Sequence, residues 1–134
     1  MIRTLAIALL LMLPFASLIA MASGTGWPEW ELPGGLPLGN LLAAAMLASW
    51  PAAAVLLATP RSAARRIAAL ALLGSLAWLP VSALLAGNVA LNFSGGRGTT
   101  WFALTLALLA IGLLSLAWSA LHQLRRRRSR QVPG

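Results

Sequence analysis

The sequence has no cysteine, tyrosine, aspartate or lysine, and only two acidic residues, Glu29 and Glu31, in 134. Without cysteine, disulfides, thiolate metal sites and thiol redox chemistry are excluded. Charged residues make up 9% of the chain, against about 25% in ordinary soluble domains. What fills the space is apolar: leucine and alanine alone supply 58 residues. A small water-soluble domain leaves too much of its surface exposed to hide that much apolar area. The composition calls for lipid as solvent.

The net charge is +8, carried by ten arginines. Five of them, Arg125, Arg126, Arg127, Arg128 and Arg130, crowd into the last ten residues. No aromatic residue interleaves with that run and no recognition motif accompanies it, so nucleic acid is not an expected partner. Basic residues flanking apolar runs set topology instead. The same tail would attract anionic lipid headgroups by roughly 1 kcal/mol per residue.

A helix crosses a bilayer core in about 20 residues. Four uncharged stretches qualify, Thr4–Ala22, Gly39–Thr59, Ile67–Ala86 and Thr100–Leu121. The expected fold is therefore an all-α, four-span membrane bundle over residues 1–124, followed by a basic tail over 125–134. Gly24, Gly26, Pro28, Pro33, Gly34, Gly35 and Pro37 break the first connection. Pro60 closes the second span, and Thr99 or Thr100 is placed to cap the fourth. Arg3, Arg61, Arg65, Arg66 and the tail arginines would share one side, leaving Arg97 on the other. The positive-inside rule then puts both termini in the cytoplasm. The exclusive use of arginine and the abundant alanine point to a GC-rich bacterial source, and so to the inner membrane. Residues 1–22 also fit a signal peptide ending in Ala20-Met21-Ala22, which would leave three spans. The length of the apolar run favours a retained helix.

Ionisable groups inside a membrane mark proton relays, ion paths and substrate sites, and these spans have none. Proton-coupled export lacks its carboxylate, and haem binding lacks His ligands at depth. No cofactor, metal site or catalytic set is expected. The lone histidine, His122, falls at the headgroup level beside Trp118. In Trp27-Pro28-Glu29-Trp30-Glu31 the indoles suit an interfacial anchor and the carboxylates a wet surface. Trp27, Glu29, Trp30, Glu31 and Arg97 make up a candidate outer docking face, with an ion pair between the acids and Arg97. The glycine-rich Ser94–Thr100 segment lacks P-loop spacing and reads as a turn. Asn92-Phe93-Ser94 matches a glycosylation sequon of no consequence in a bacterium.

Two tryptophan–proline pairs lie well inside the spans, Trp50 with Pro51 and Trp78 with Pro80. Proline frees a helix carbonyl, and Ser49, Ser75 and Ser82 are candidates to satisfy it. These seven residues outline a candidate kink or cavity. Small residues recur every four positions, as Ala44, Ala48 and Ala52, and as Ala64 and Ala68 before Leu72. Such stripes allow close helix approach. Ser75-Leu76-Ala77-Trp78 recurs as Ser115-Leu116-Ala117-Trp118, a weak internal echo. The expected function is a non-catalytic accessory or assembly subunit acting through helix contacts with a larger membrane complex; the expected partner is another membrane protein or, alternatively, further copies of the chain. The alternative is a small permease or channel for a neutral or anionic solute, lined by Asn40, Ser49, Ser75, Ser82, Asn88 and Thr105.

Overall fold

The computed structural model describes residues 1–24, 26–86 and 95–131. Four helices dominate it: α1 (Ile2–Ala22), α2 (Leu38–Leu57), α3 (Ala63–Ala86) and α4 (Gly95–Gln131). Each is long and apolar enough to cross a membrane. Between α1 and α2 the breakers expected from sequence build a small ordered cap. A 3-10 turn over Trp27–Glu29 leads into a two-stranded antiparallel hairpin, β1 (Glu31–Leu32) and β2 (Leu36–Pro37). Gly34 and Gly35 take φ of +94° and +75° at its turn, a conformation that costs a side-chain-bearing residue dearly.

Three helix ends differ from expectation. α3 starts at Ala63, ahead of Ile67, because the Ser62 hydroxyl accepts the Arg65 backbone N–H at 3.2 Å and caps the first turn. Arg65 and Arg66 are thus helical. α4 starts at Gly95, so neither Thr99 nor Thr100 is its cap. The Thr100 hydroxyl donates back to Gly96 O at 2.8 Å inside the helix. The far end runs on through the arginine tail to Gln131. Arginine is a good helix former, and cations sit well at a helix C-terminus. Asn88 and the Asn92 sequon lie outside the described residues.

Burial is inverted relative to a soluble protein. The buried residues are chiefly alanines and serines, with Asn40, Leu47, Trp78 and Trp101. Large apolar side chains, such as Leu9, Met12, Ile19, Leu70, Leu73 and Leu114, are exposed. In lipid no hydrophobic force draws helices together, so association comes from close packing and interhelical hydrogen bonds, which small and polar residues supply.

The buried positions follow one rule. On α2 they include Asn40, Ala44, Leu47, Pro51 and Ala54, with Ala58 just past its end, and on α3 Ala64, Ala68, Ala71, Ser75, Trp78 and Ser82. On α4 the row runs Trp101, Thr105, Leu108, Gly112, Ser115 and Ser119, with Thr105 and Leu108 half-buried. Steps of four and three alternate throughout, a repeat of about 3.5 residues that keeps one seam facing its neighbours. The four-residue stripe expected from sequence is overtaken by this seam. Ala44 lies on it and is buried, while Ala48 and Ala52 fall off it and are only half-buried. α2 buries a second row as well, including Ala43, Ser49 and Ala53, because it packs against α1, α3 and α4.

α3 also packs on α4, whereas α1 finds its helical neighbour in α2. The share of each span buried reflects this, 44% for α2 against 11% for α1. The arrangement is a cluster of three helices with α1 laid along one side, not a closed ring of four.

Candidate functional site

The seam residues of α3 and α4 meet in antiparallel register. Trp78 Nε1 on α3 donates to Thr105 Oγ1 on α4 at 2.8 Å, and Trp101 Nε1 on α4 donates to Ser82 Oγ on α3 at 3.1 Å. The two pairs are reciprocal: each helix gives one indole and one hydroxyl, four residues apart. The Thr105 hydroxyl in turn donates to Trp101 O at 2.8 Å. The rings lie 5.8 Å apart at 54°, and they pack with Ala43, Ala44 and Leu47 of α2. Alanine at 43 and 44 makes room there for two indoles. Farther along, Gly112 lets α4 settle on α2, since a Cβ there would lie 3.1 Å from Pro51 Cδ and 3.4 Å from Trp50 Cβ.

The candidate kink residues are not brought into one place. Trp78 and Ser82 join the indole cluster, but Trp50 turns the other way. It meets Phe15 of α1 edge-on, with ring centroids 6.2 Å apart, and its buried Nε1 has no hydrogen-bond partner. Pro51 is buried and Pro80 is exposed. The expected role of the serines at the proline-freed carbonyls does not materialise. Those carbonyls belong to Leu47 and Leu76, four residues before each proline. Ser49 instead donates to Met46 O and Ser75 to Ala71 O, each at 2.8 Å, and Ser82 accepts from Trp101. Pro14 runs inside α1 in the same way.

A clasp forms at the other end of the cluster. The carbonyls of Leu56 and Leu57 are among those left without an intrahelical donor where α2 ends, ahead of Pro60. Arg3 fills the vacancy from α1, its Nε donating to Leu56 O at 2.7 Å and its Nη2 reaching the Leu56 and Leu57 carbonyls. Gln123 of α4 donates to Leu57 O at 2.6 Å. One helix terminus thereby ties three helices together. The turn beyond it holds Arg61 at φ +61°.

On the opposite end, Trp27 and Trp30 sit 6.1 Å apart at 38° and remain 52% and 62% exposed. Glu29 and Glu31 are exposed beside them. Arg97 lies on α4, but its side chain is outside the described residues, as are those of Arg127 and Arg130. Arg125, Arg126 and Arg128 are exposed along the last turns of α4. Among the described residues no group of His, Cys, Asp or Glu is placed to hold a metal ion.

Two open grooves run along the outside. One, of about 730 Å³, follows α1 past Leu9, Met12, Phe15 and Ile19. The other, of about 690 Å³, lies between Ile67 of α3 and the face of α4 that carries Leu114, Trp118, His122 and Arg125.

Trp101, Gln123, Gly112 and the buried hydroxyls of Ser17 and Ser119 did not stand out in the sequence. The indole pair had a readable signal, Trp-x-x-x-Ser at 78–82 and Trp-x-x-x-Thr at 101–105. No protein-family model matches this chain, and neither does any curated protein or solved structure.

Proposed function

We propose that this chain is a small integral protein of a bacterial inner membrane, with both termini cytoplasmic, acting without catalysis through helix contacts with a larger membrane complex. The observation that carries the reading is the closed interior. Most polar groups at the α3–α4 seam are engaged within the protein, across the helices through the reciprocal Trp78–Thr105 and Trp101–Ser82 bonds and within them through Ser75 and Ser115, while the buried Ser119 hydroxyl has no partner. What remains for function is surface, above all the apolar face of α1, which is held to the cluster along α2. The topology is supported by the clasp, which gathers Arg3, the Arg61 turn and the α4 tail at one end. The alternative, a permease or channel for a neutral or anionic solute, would need hydroxyls free to meet that solute. Ser49, Ser75, Ser82 and Thr105 are already engaged.

A photo-crosslinking residue placed singly at Leu9, Met12 or Ile19 tests the contact in intact cells. The accessory reading expects one defined membrane protein captured from all three positions, and no solute flux in liposomes of the purified chain. Flux together with absent crosslinks would hand the function to the permease.

A further inference from the structure

We infer that the groove between α3 and the second half of α4 is a binding site for one anionic phospholipid. Its walls are graded along the helix. Ile111 and Leu114 of α4, with Ile67 of α3, contribute an apolar floor, Trp118 follows, and His122 and Arg125 close one end. From Ile111 to Arg125 the helix covers about 21 Å at about 1.5 Å per residue. One leaflet with its headgroups is about 20–22 Å thick, half of the full bilayer. The groove thus matches a molecule that is apolar along most of its length and polar at one end.

The polar end selects for negative charge. Arg125 offers guanidinium donors suited to phosphate, and His122 a ring N–H. No carboxylate competes, because the chain's only acids, Glu29 and Glu31, lie at the opposite end of the helices. Trp118, 57% exposed, suits the boundary between chain and headgroup. A second copy of this chain is a poorer occupant. Paired about an axis along the membrane normal, it would set its own Arg125 at the same level as this one. An apolar partner helix would match the floor of the groove but make no use of the His122 and Arg125 donors. The α1 groove shows the contrast, being apolar along its whole length, so nothing in it selects a headgroup.

Diffuse attraction to the arginine tail and a built site make different demands, and the test separates them. The full chain, released from detergent micelles containing equal amounts of phosphatidylglycerol and phosphatidylcholine, is examined by native mass spectrometry. The site expects one phosphatidylglycerol retained per chain in preference to phosphatidylcholine. Arg125→Ala should weaken that retention about tenfold, the loss of one charge-assisted hydrogen bond. Arg128→Ala, on the same tail but away from the groove lining, should change it by no more than about twofold. Leu114→Trp, which fills the floor, should also expel the lipid while circular dichroism stays that of the parent. Equal retention of the two lipids overturns the proposal, as do equal losses from Arg125→Ala and Arg128→Ala. A dimer that Leu114→Trp dissociates, with no lipid retained, would assign the groove to a second copy instead.

Discussion

If the reciprocal indole–hydroxyl pairs hold α3 to α4, removing either partner of one pair should cost the same interaction. Thr105→Val keeps the shape of the side chain and deletes its oxygen. Trp78, only 1% exposed, then holds an indole N–H that no water reaches. A buried donor stripped of its partner costs about 1–3 kcal/mol, but interhelical hydrogen bonds in membranes average about 0.6 kcal/mol and reach about 1.7. The geometry argues for the upper part of that range, since the 2.8 Å bond is short and faces the α2 alanines rather than a wet cavity. Trp78→Phe removes the donor and adds a packing loss of its own. That loss cancels in a double-mutant cycle with Thr105→Val, as does the broken bond from Thr105 to Trp101 O. The coupling should be about 1–1.7 kcal/mol, read from reversible SDS unfolding in mixed micelles followed by far-ultraviolet circular dichroism. A coupling below about 0.3 kcal/mol, within the additivity expected of independent sites, would refute the claim that this bond joins the helices.

Other substitutions probe the contacts around that pair in the same unfolding assay. Gly112→Ala should destabilise by up to about 2 kcal/mol, an overpacking cost of about 1–3 kcal/mol less about 1 kcal/mol of helix propensity, because the ring carbon of Pro51 that it meets at 3.1 Å cannot rotate aside. Gly74→Ala should be nearly neutral, since its 3.0 Å neighbour is the mobile end of Leu108 and alanine gains about 1 kcal/mol in helix propensity. Equal costs at the two glycines would count against the packing argument. Arg61→Gly should stabilise by about 1 kcal/mol by relieving the positive φ. Gln123→Leu should cost less than about 1 kcal/mol, because Arg3 Nη2 still donates to the Leu57 carbonyl, and combining it with Arg3→Met should cost more than the sum, since only the pair leaves that carbonyl unsatisfied.

The four apolar helices were legible because span length and charge exclusion are one-dimensional signals, readable from Thr4–Ala22 or Gly39–Thr59 without any partner. Helix ends were less so. Arg65 and Arg66 look like loop residues by charge, and only the Ser62 cap draws them into α3. Glycines 95, 96 and 98 look like a turn, yet α4 runs through them. The candidate site was hidden more deeply, because tryptophan and proline mark positions without saying which neighbour they face. Trp50 and Trp78 each lie within two residues of a proline yet face different helices, Phe15 of α1 for one and Trp101 of α4 for the other.

The repeated Ser-Leu-Ala-Trp shows what decides the facing. Ser75 and Ser115 are equivalent: both are buried on a seam, and both donate to the carbonyl four residues back, at 2.8 and 2.7 Å. Their tryptophans are not, for Trp78 is 1% exposed and Trp118 57%. On α3 the seam steps from Ser75 by three, to Trp78. On α4 it steps from Ser115 by four, to Ser119, and carries Trp118 outward. The phase of a 3.5-residue repeat, not the tetrapeptide, therefore assigns one indole to helix packing and leaves the other on the lipid-binding groove. Shifting that phase by one residue would exchange the roles. An alanine inserted between Ala117 and Trp118 should move the indole onto the position Ser119 now holds. It should quench less with brominated phosphatidylglycerol than the parent's Trp118 does. Quenching that persists undiminished would show that seam phase is not what keeps Trp118 on the groove.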